Sequence, residues 1–79
     1  MSVGLDRAAF RILKREAERQ SGKAYIHYVL SVVAARLNDQ ETTLRSLMRA
    51  VELEPRLRFR ANLDPELSSI VRRYNLFEK

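Results

Sequence analysis

His27 and Ser31 are the residues of this chain whose types and spacing come nearest to catalysis. Four positions apart on a helix, an imidazole and a hydroxyl lie on one face within hydrogen-bonding reach, as a general base lies beside a nucleophile. Such a pair needs a third group to orient the base and donors to hold a developing oxyanion. No aspartate lies near His27 in sequence and no glycine-rich turn follows Ser31, so both are expected to have packing roles.

The other candidates fall away for physical reasons of their own. Asp6, Asp39 and Asp64 each stand at the start of an expected helix, where a carboxylate caps free N–H groups. Glu52 and Glu54 point to different helix faces and cannot work as a pair. A single histidine and no cysteine leave little for a transition-metal site. Neither a P-loop nor a dinucleotide fingerprint is present. The chain is expected to be a non-enzyme, without catalytic residue, cofactor or metal.

The elements that carry these residues are predicted to be helices within one small domain, 1–79, which could be a piece of a longer protein. Two glycines and two prolines suit tight connections. Without cysteine, stability must come from packed side chains, a neighbouring subunit or further sequence. Fifteen Lys and Arg against ten Asp and Glu give a net charge of +5, and twelve of the cations are arginines. Arginine pairs bidentately with carboxylates and phosphates, so an acidic partner is physically reasonable. The longest apolar stretch, Val29 to Ala35, falls far short of the ~20 residues that span a bilayer. Met1 to Leu5 leads straight into Asp6-Arg7, unlike a signal peptide. A cytoplasmic protein is expected, with a soluble domain of a membrane-anchored or exported protein as the alternative.

Four helices are expected, at about residues 6–20, 23–37, 40–54 and 64–76. Met1 to Gly4 reads as a flexible lead-in. In the first helix Leu5, Ala8, Ala9, Ile12, Leu13 and Ala17 form one apolar stripe, and Gly22 is placed to end it in the left-handed conformation. The second is apolar on two faces: Ile26, Val29, Leu30, Val33, Ala34 and Leu37 on one, Tyr25, Tyr28 and Val32 on the other. A helix apolar on two faces must be covered on both. Asn38-Asp39 breaks the pattern, with Asp39 as cap of a third helix whose Leu44, Leu47, Met48, Ala50 and Val51 face inward. Pro55 ends that helix by forcing Glu54 out of the helical region. From Arg56 to Leu63, apolar and polar residues alternate as in a strand, but nothing is available to pair with one. An extended or one-turn helical connection is expected there, laying Leu57 and Phe59 on the core. Asp64-Pro65 then opens the last helix, with Leu67, Ile70, Val71 and Tyr74 on its apolar face and Leu76 and Phe77 beyond.

The thirty-four residues from Ala24 to Leu57 make a helix pair closed by a proline, and they resemble a tetratricopeptide repeat. Leu30 and Ser31 fall on the family's Leu-Gly packing pair and Asn38-Asp39 on its turn. Leu47 and Ala50 fall on the large and small apolar sites of its second helix, and Ala50 to Pro55 is similar to its Ala-Leu-Glu-Leu-Asp-Pro ending. His27, Ala34 and Thr43 depart from the family's preferred Trp, aromatic and Ala. The first helix resembles the second half of an earlier, truncated repeat. Leu63 to Leu67 resembles the Asp-Pro-x-Leu segment that closes many bacterial arrays. The resemblance implies an all-α, antiparallel helix-turn-helix fold, a right-handed superhelical stack of about four helices. It also implies a scaffold that binds a protein or peptide.

In that family the first helix of each repeat lines the concave groove, so Tyr25, Tyr28, Val32, Ala35 and Arg36 would contact the partner. Their spacing puts them on one helical face in any case. Tyr28→Ala is then expected to weaken binding more than helicity. Alternatively the last helix, or a second copy of the chain, covers this face. One repeat with half a unit on each side is short of the roughly three that such arrays need, which makes a homodimer possible. Nucleic acid is the runner-up partner: Arg45, Arg49, Arg56, Arg58 and Arg60, with Arg72 and Arg73, would bind phosphates if they converge. Glu41, Glu52 and Glu54 are interleaved among them and favour a solvated face instead.

Overall fold

The computed structural model describes residues 3–74, which fold as five helices with no strand among them. They are α1 Val3–Arg19, α2 Ala24–Arg36, α3 Gln40–Leu53, α4 Leu57–Leu63 and α5 Ser68–Tyr74. The chain is therefore all-α, with one helix more than its periodicity predicts. None of the described helices is long and apolar enough to cross a membrane. Leu76 and Phe77, expected at the end of the last helix, lie outside the described residues.

α2 is the central element, packing most extensively against α3 and then against α1. It runs antiparallel to α1, because Arg36 at its end reaches Asp6 in the first turn of α1 at 3.7 Å. The helix begins at Val3, so Val3 and Gly4 belong to α1 and not to a lead-in. The stripe expected on α1 is only partly covered: Ala17 is buried, Ala9 and Leu13 are half-buried, and Leu5, Ala8 and Ile12 are exposed. α2 is the helix against which α1 packs, and a single neighbour shields a narrower sector than the stripe occupies. Gly22 does not adopt a left-handed conformation, and a Cβ there would meet nothing within 4 Å.

The left-handed residue is instead Asn38, at φ 62°. It ends α2 in a Schellman motif: the Asp39 N–H donates to the Ala34 carbonyl at 2.9 Å and the Asn38 N–H to the Ala35 carbonyl at 3.1 Å. Asparagine tolerates this conformation better than most residues. Asp39 then caps α3. Its Oδ1 accepts the Thr42 N–H at 3.1 Å, its Oδ2 accepts the Thr42 hydroxyl at 2.8 Å, and its carbonyl accepts the Thr43 hydroxyl at 2.8 Å.

These bonds favour the ionised carboxylate. The Thr42 N–H, followed by its hydroxyl, holds the Asp39 carboxyl below its usual range. A depressed folded-state value means that the cap's contribution is present above the unfolded aspartate range, about pH 4, and is lost as pH falls through the folded value. Asp39→Ala is expected to cost about 1 kcal/mol at neutral pH. In urea titrations that difference should shrink below pH 4, and a difference independent of pH would contradict the capping account.

Glu54 is extended, at ψ 92°, because Pro55 follows it. The segment read as a connection is α4. Leu57 and Ala61, four apart, turn inward, Ala61 fully buried and Leu57 half-buried against the core. Phe59 does not reach the core and is 59% exposed, because on a helix it falls on the far side from Ala61. Asp64 is extended before Pro65, at ψ 119°. Its Oδ1 accepts the Glu66 N–H at 2.9 Å and its carbonyl the Ser68 N–H at 2.8 Å, so it does cap the chain's last turn into α5. Met48, expected inward, is 48% exposed, while Leu47, Ala50 and Thr43 fill the inner face of α3.

The core cluster joins Tyr28 of α2, Leu47 and Ala50 of α3, Ala61 of α4, Leu67, and Val71 of α5. Alanines at 50 and 61 let the short C-terminal helices approach the α2–α3 pair closely. Hydrogen bonds reinforce that docking: Tyr28 donates to Asp64 Oδ2 at 3.0 Å, and Tyr74 donates to Gln40 Oε1 at 2.9 Å.

Candidate interaction surface

The α2 face bearing Tyr25, Tyr28, Val32, Ala35 and Arg36 is largely closed. Tyr28 is 4% exposed within the core, and Val32 and Ala35 pack half-buried against the same cluster. The cover is the α4–α5 segment, so this face meets its need for burial within the chain. Tyr28 is therefore a core residue and not a side chain on an open groove. Burial first, and then the hydrogen bond to Asp64, push its phenol up to about 12. Arg36 is occupied by two acids, Asp6 at 3.7 Å and Glu66 at 3.5 Å, and ties α2 to both flanking segments.

Tyr25 is the aromatic member of the strip that remains in solvent, 59% exposed. The Arg60 guanidinium lies 6.0 Å from its ring centroid and 5.9 Å from that of Tyr28, within range of a cation–π attraction. Arg60 thus connects Tyr25 to the outer face of α4. On that face Phe59 and Leu63, four apart, are 59% and 85% exposed, and Arg58 lies 5.0 Å over the Phe59 ring. Sequence reasoning missed this surface because it treated the segment as a connection. The i, i+4 spacing of Phe59 and Leu63 was the available signal.

The five arginines of the alternative patch are spread over two regions. Arg45 and Arg49 border a cleft between α1 and α3 and pair with Glu41 at 3.0 Å and Glu52 at 2.6 Å. Arg56 pairs with Glu54 at 3.5 Å, while Arg58 and Arg60 lie on aromatic rings.

His27 and Ser31 do not bond to each other. The His27 Nε2–H donates to the Ser21 carbonyl at 2.9 Å, and the Ser31 hydroxyl donates to the Tyr28 carbonyl at 2.6 Å. Among the described residues no group of three or more His, Cys, Asp or Glu is placed to hold a metal. No family model matches the chain, and no curated protein or solved structure is detectably similar to it.

Proposed function

We propose that this protein is a non-catalytic interaction module that offers a helix surface to an acidic protein or peptide. The observation that carries this reading is the outer face of α4, where Phe59 and Leu63 stand in solvent next to Arg60, whose guanidinium lies over the exposed Tyr25 ring. Exposed large apolar residues grouped on one face mark contact surfaces, and aromatic residues with arginine dominate binding hot spots. Arg56, Arg58 and Arg60 around them, on a chain of net charge +5, favour a partner with carboxylates.

The tetratricopeptide resemblance supports the same reading. Leu47 and Ala50, at its large and small apolar sites, are fully buried, and Pro55 follows the end of α3. A cysteine-free module of this kind suits the cytoplasm.

Phe59→Asp combined with Leu63→Asp tests the surface. Both side chains are exposed, so circular dichroism should be unchanged. The affinity for a purified acidic partner, measured by calorimetry, should fall about 100-fold, the loss of two hot-spot contacts. A variant that binds as the wild type would show that the interface lies elsewhere. Light scattering across a tenfold or wider concentration range separates self-association: a dimer that the double variant abolishes would make the partner a second copy. Oligonucleotide binding with a steep salt slope would favour nucleic acid instead.

A further inference from the structure

We infer that the cleft between α1 and α3 is a binding site for an organic anion, an apolar body carrying a phosphate or carboxylate. No α4 residue takes part, so this inference is independent of the interaction surface. The cleft is open to solvent on one side and has a volume of about 320 Å³. Ala17 of α1 and Leu30 of α2, both buried, line it below, and Lys14, Arg45 and Arg49 stand around its rim, with Glu18 as the acid that also borders it. A bare phosphate would leave such a volume mostly empty, whereas an apolar body would rest on Ala17, Leu30 and the aliphatic stems of the three cations.

The second observation is Ser46. It borders the cleft and is 6% exposed, yet its hydroxyl makes no hydrogen bond to any described residue. The other serine and threonine hydroxyls of α2 and α3 are all engaged: Ser31 with a backbone carbonyl, Thr42 with the Asp39 carboxylate and Thr43 with the Asp39 carbonyl. No fully enclosed side-chain polar atom among the described residues lacks a partner, so Ser46 Oγ keeps an accessible face, and the cleft is the opening that it lines. Alanine would suit the helix better at this position. A hydroxyl retained there without a protein partner is a donor available to a ligand anion.

The cations are available as well. Lys14 makes no ion pair among the described residues and lies 5.3 Å from the Phe10 ring centroid. Arg45 and Arg49 hold Glu41 and Glu52 only in solvent-exposed pairs, which are weak enough for a better-placed anion to displace. Guanidinium groups match phosphate and carboxylate oxygens two at a time.

The test is an amide chemical-shift titration of the whole chain with phenyl phosphate and with benzoate, set against phenol and inorganic phosphate. Saturable shifts are expected at Lys14, Ala17, Leu30, Ser46 and Arg49, with affinity about tenfold or more above either control. Ser46→Ala should melt at the same or a higher temperature yet bind phenyl phosphate about tenfold more weakly, a split that a purely structural serine would not give. Arg45→Gln with Arg49→Gln should fold normally and lose binding. A capped phosphotyrosine peptide that binds these residues more tightly than phenyl phosphate would identify the anion as a partner's side chain, and weaker binding would identify a free ligand. The inference is overturned by an absence of saturable shifts at millimolar concentration, by equal binding of inorganic phosphate, by Ser46→Ala binding as the wild type, or by a salt-sensitive oligonucleotide displacing the probe.

Discussion

Tyr28→Ala is expected to unfold the protein. Removing a buried aromatic side chain costs about 3–5 kcal/mol through lost burial and the cavity left behind. Tyr28 is 4% exposed and meets Leu47, Ala50, Ala61, Leu67 and Val71, so the void would open where α2, α3 and the C-terminal helices join. A domain of this size has a total stability of about 4–12 kcal/mol. The loss is therefore of the same order as the whole, and helicity should collapse in circular dichroism or survive only at low temperature. Tyr28→Phe keeps the ring and loses only the hydrogen bond to Asp64, at a cost of about 1–3 kcal/mol.

The pair also predicts an alkaline transition. The phenol's value rises from 10.0 to about 12 in the folded state, by burial first and then by the Asp64 hydrogen bond. A raised folded value means that the stability is fully present below pH 10 and is lost as pH climbs through about 12. Tyr28→Phe should remove that part of the alkaline loss, seen as a flatter stability curve and as the absence of the late tyrosinate absorbance. From the sequence alone the same substitution to alanine was expected to weaken binding and spare the helix. A folded but binding-deficient Tyr28→Ala protein would restore that expectation and show that the α4–α5 cover detaches.

The burial of Tyr28, where the sequence left an open groove and a covered face as alternatives, shows how much of this protein is legible in its sequence. α1, α2 and α3 follow from local rules: apolar residues at helical spacing, Asp39 at a cap, and Pro55 after Glu54. α4 inverts those rules, with alanine turned inward and Phe59 and Leu63 outward, so hydrophobicity points the wrong way around the helix and imitates a strand. Tyr25 and Tyr28 are the same residue type on one face of one helix, yet one is 59% and the other 4% exposed. The path of the chain after Pro55 makes the difference, and no property of α2 encodes it. Asn38 was recognised as a break but not as a left-handed residue, a conformation expected only at Gly22 after α1 and not found there. The α1–α3 cleft was illegible for a similar reason. Lys14, His27 and Ser46 belong to three helices, and only their packing brings them to one opening.

Two leucines four residues apart provide the sharpest test of that packing. Leu67→Ala is expected to cost about 3 kcal/mol, within the range for a fully buried leucine, although Leu67 sits in the turn before a helix of only seven residues. Leu63→Ala, at a site 85% exposed, should change stability by no more than about 0.5 kcal/mol. Urea denaturation measures both. The contrast runs against local hydrophobic pattern, since both leucines flank the same Asp64-Pro65 turn, and it arises only if α4 and α5 lie over α2. Because Leu67 and Tyr28 share one cluster, Tyr28→Phe and Leu67→Ala should also couple, with a double-mutant cost that departs from the sum by about 0.5 kcal/mol or more. Equal and small effects at 63 and 67 would mean that the C-terminal helices are not docked. Tyr28 and Val32 would then face solvent, and the partner surface would return from α4 to the α2 strip.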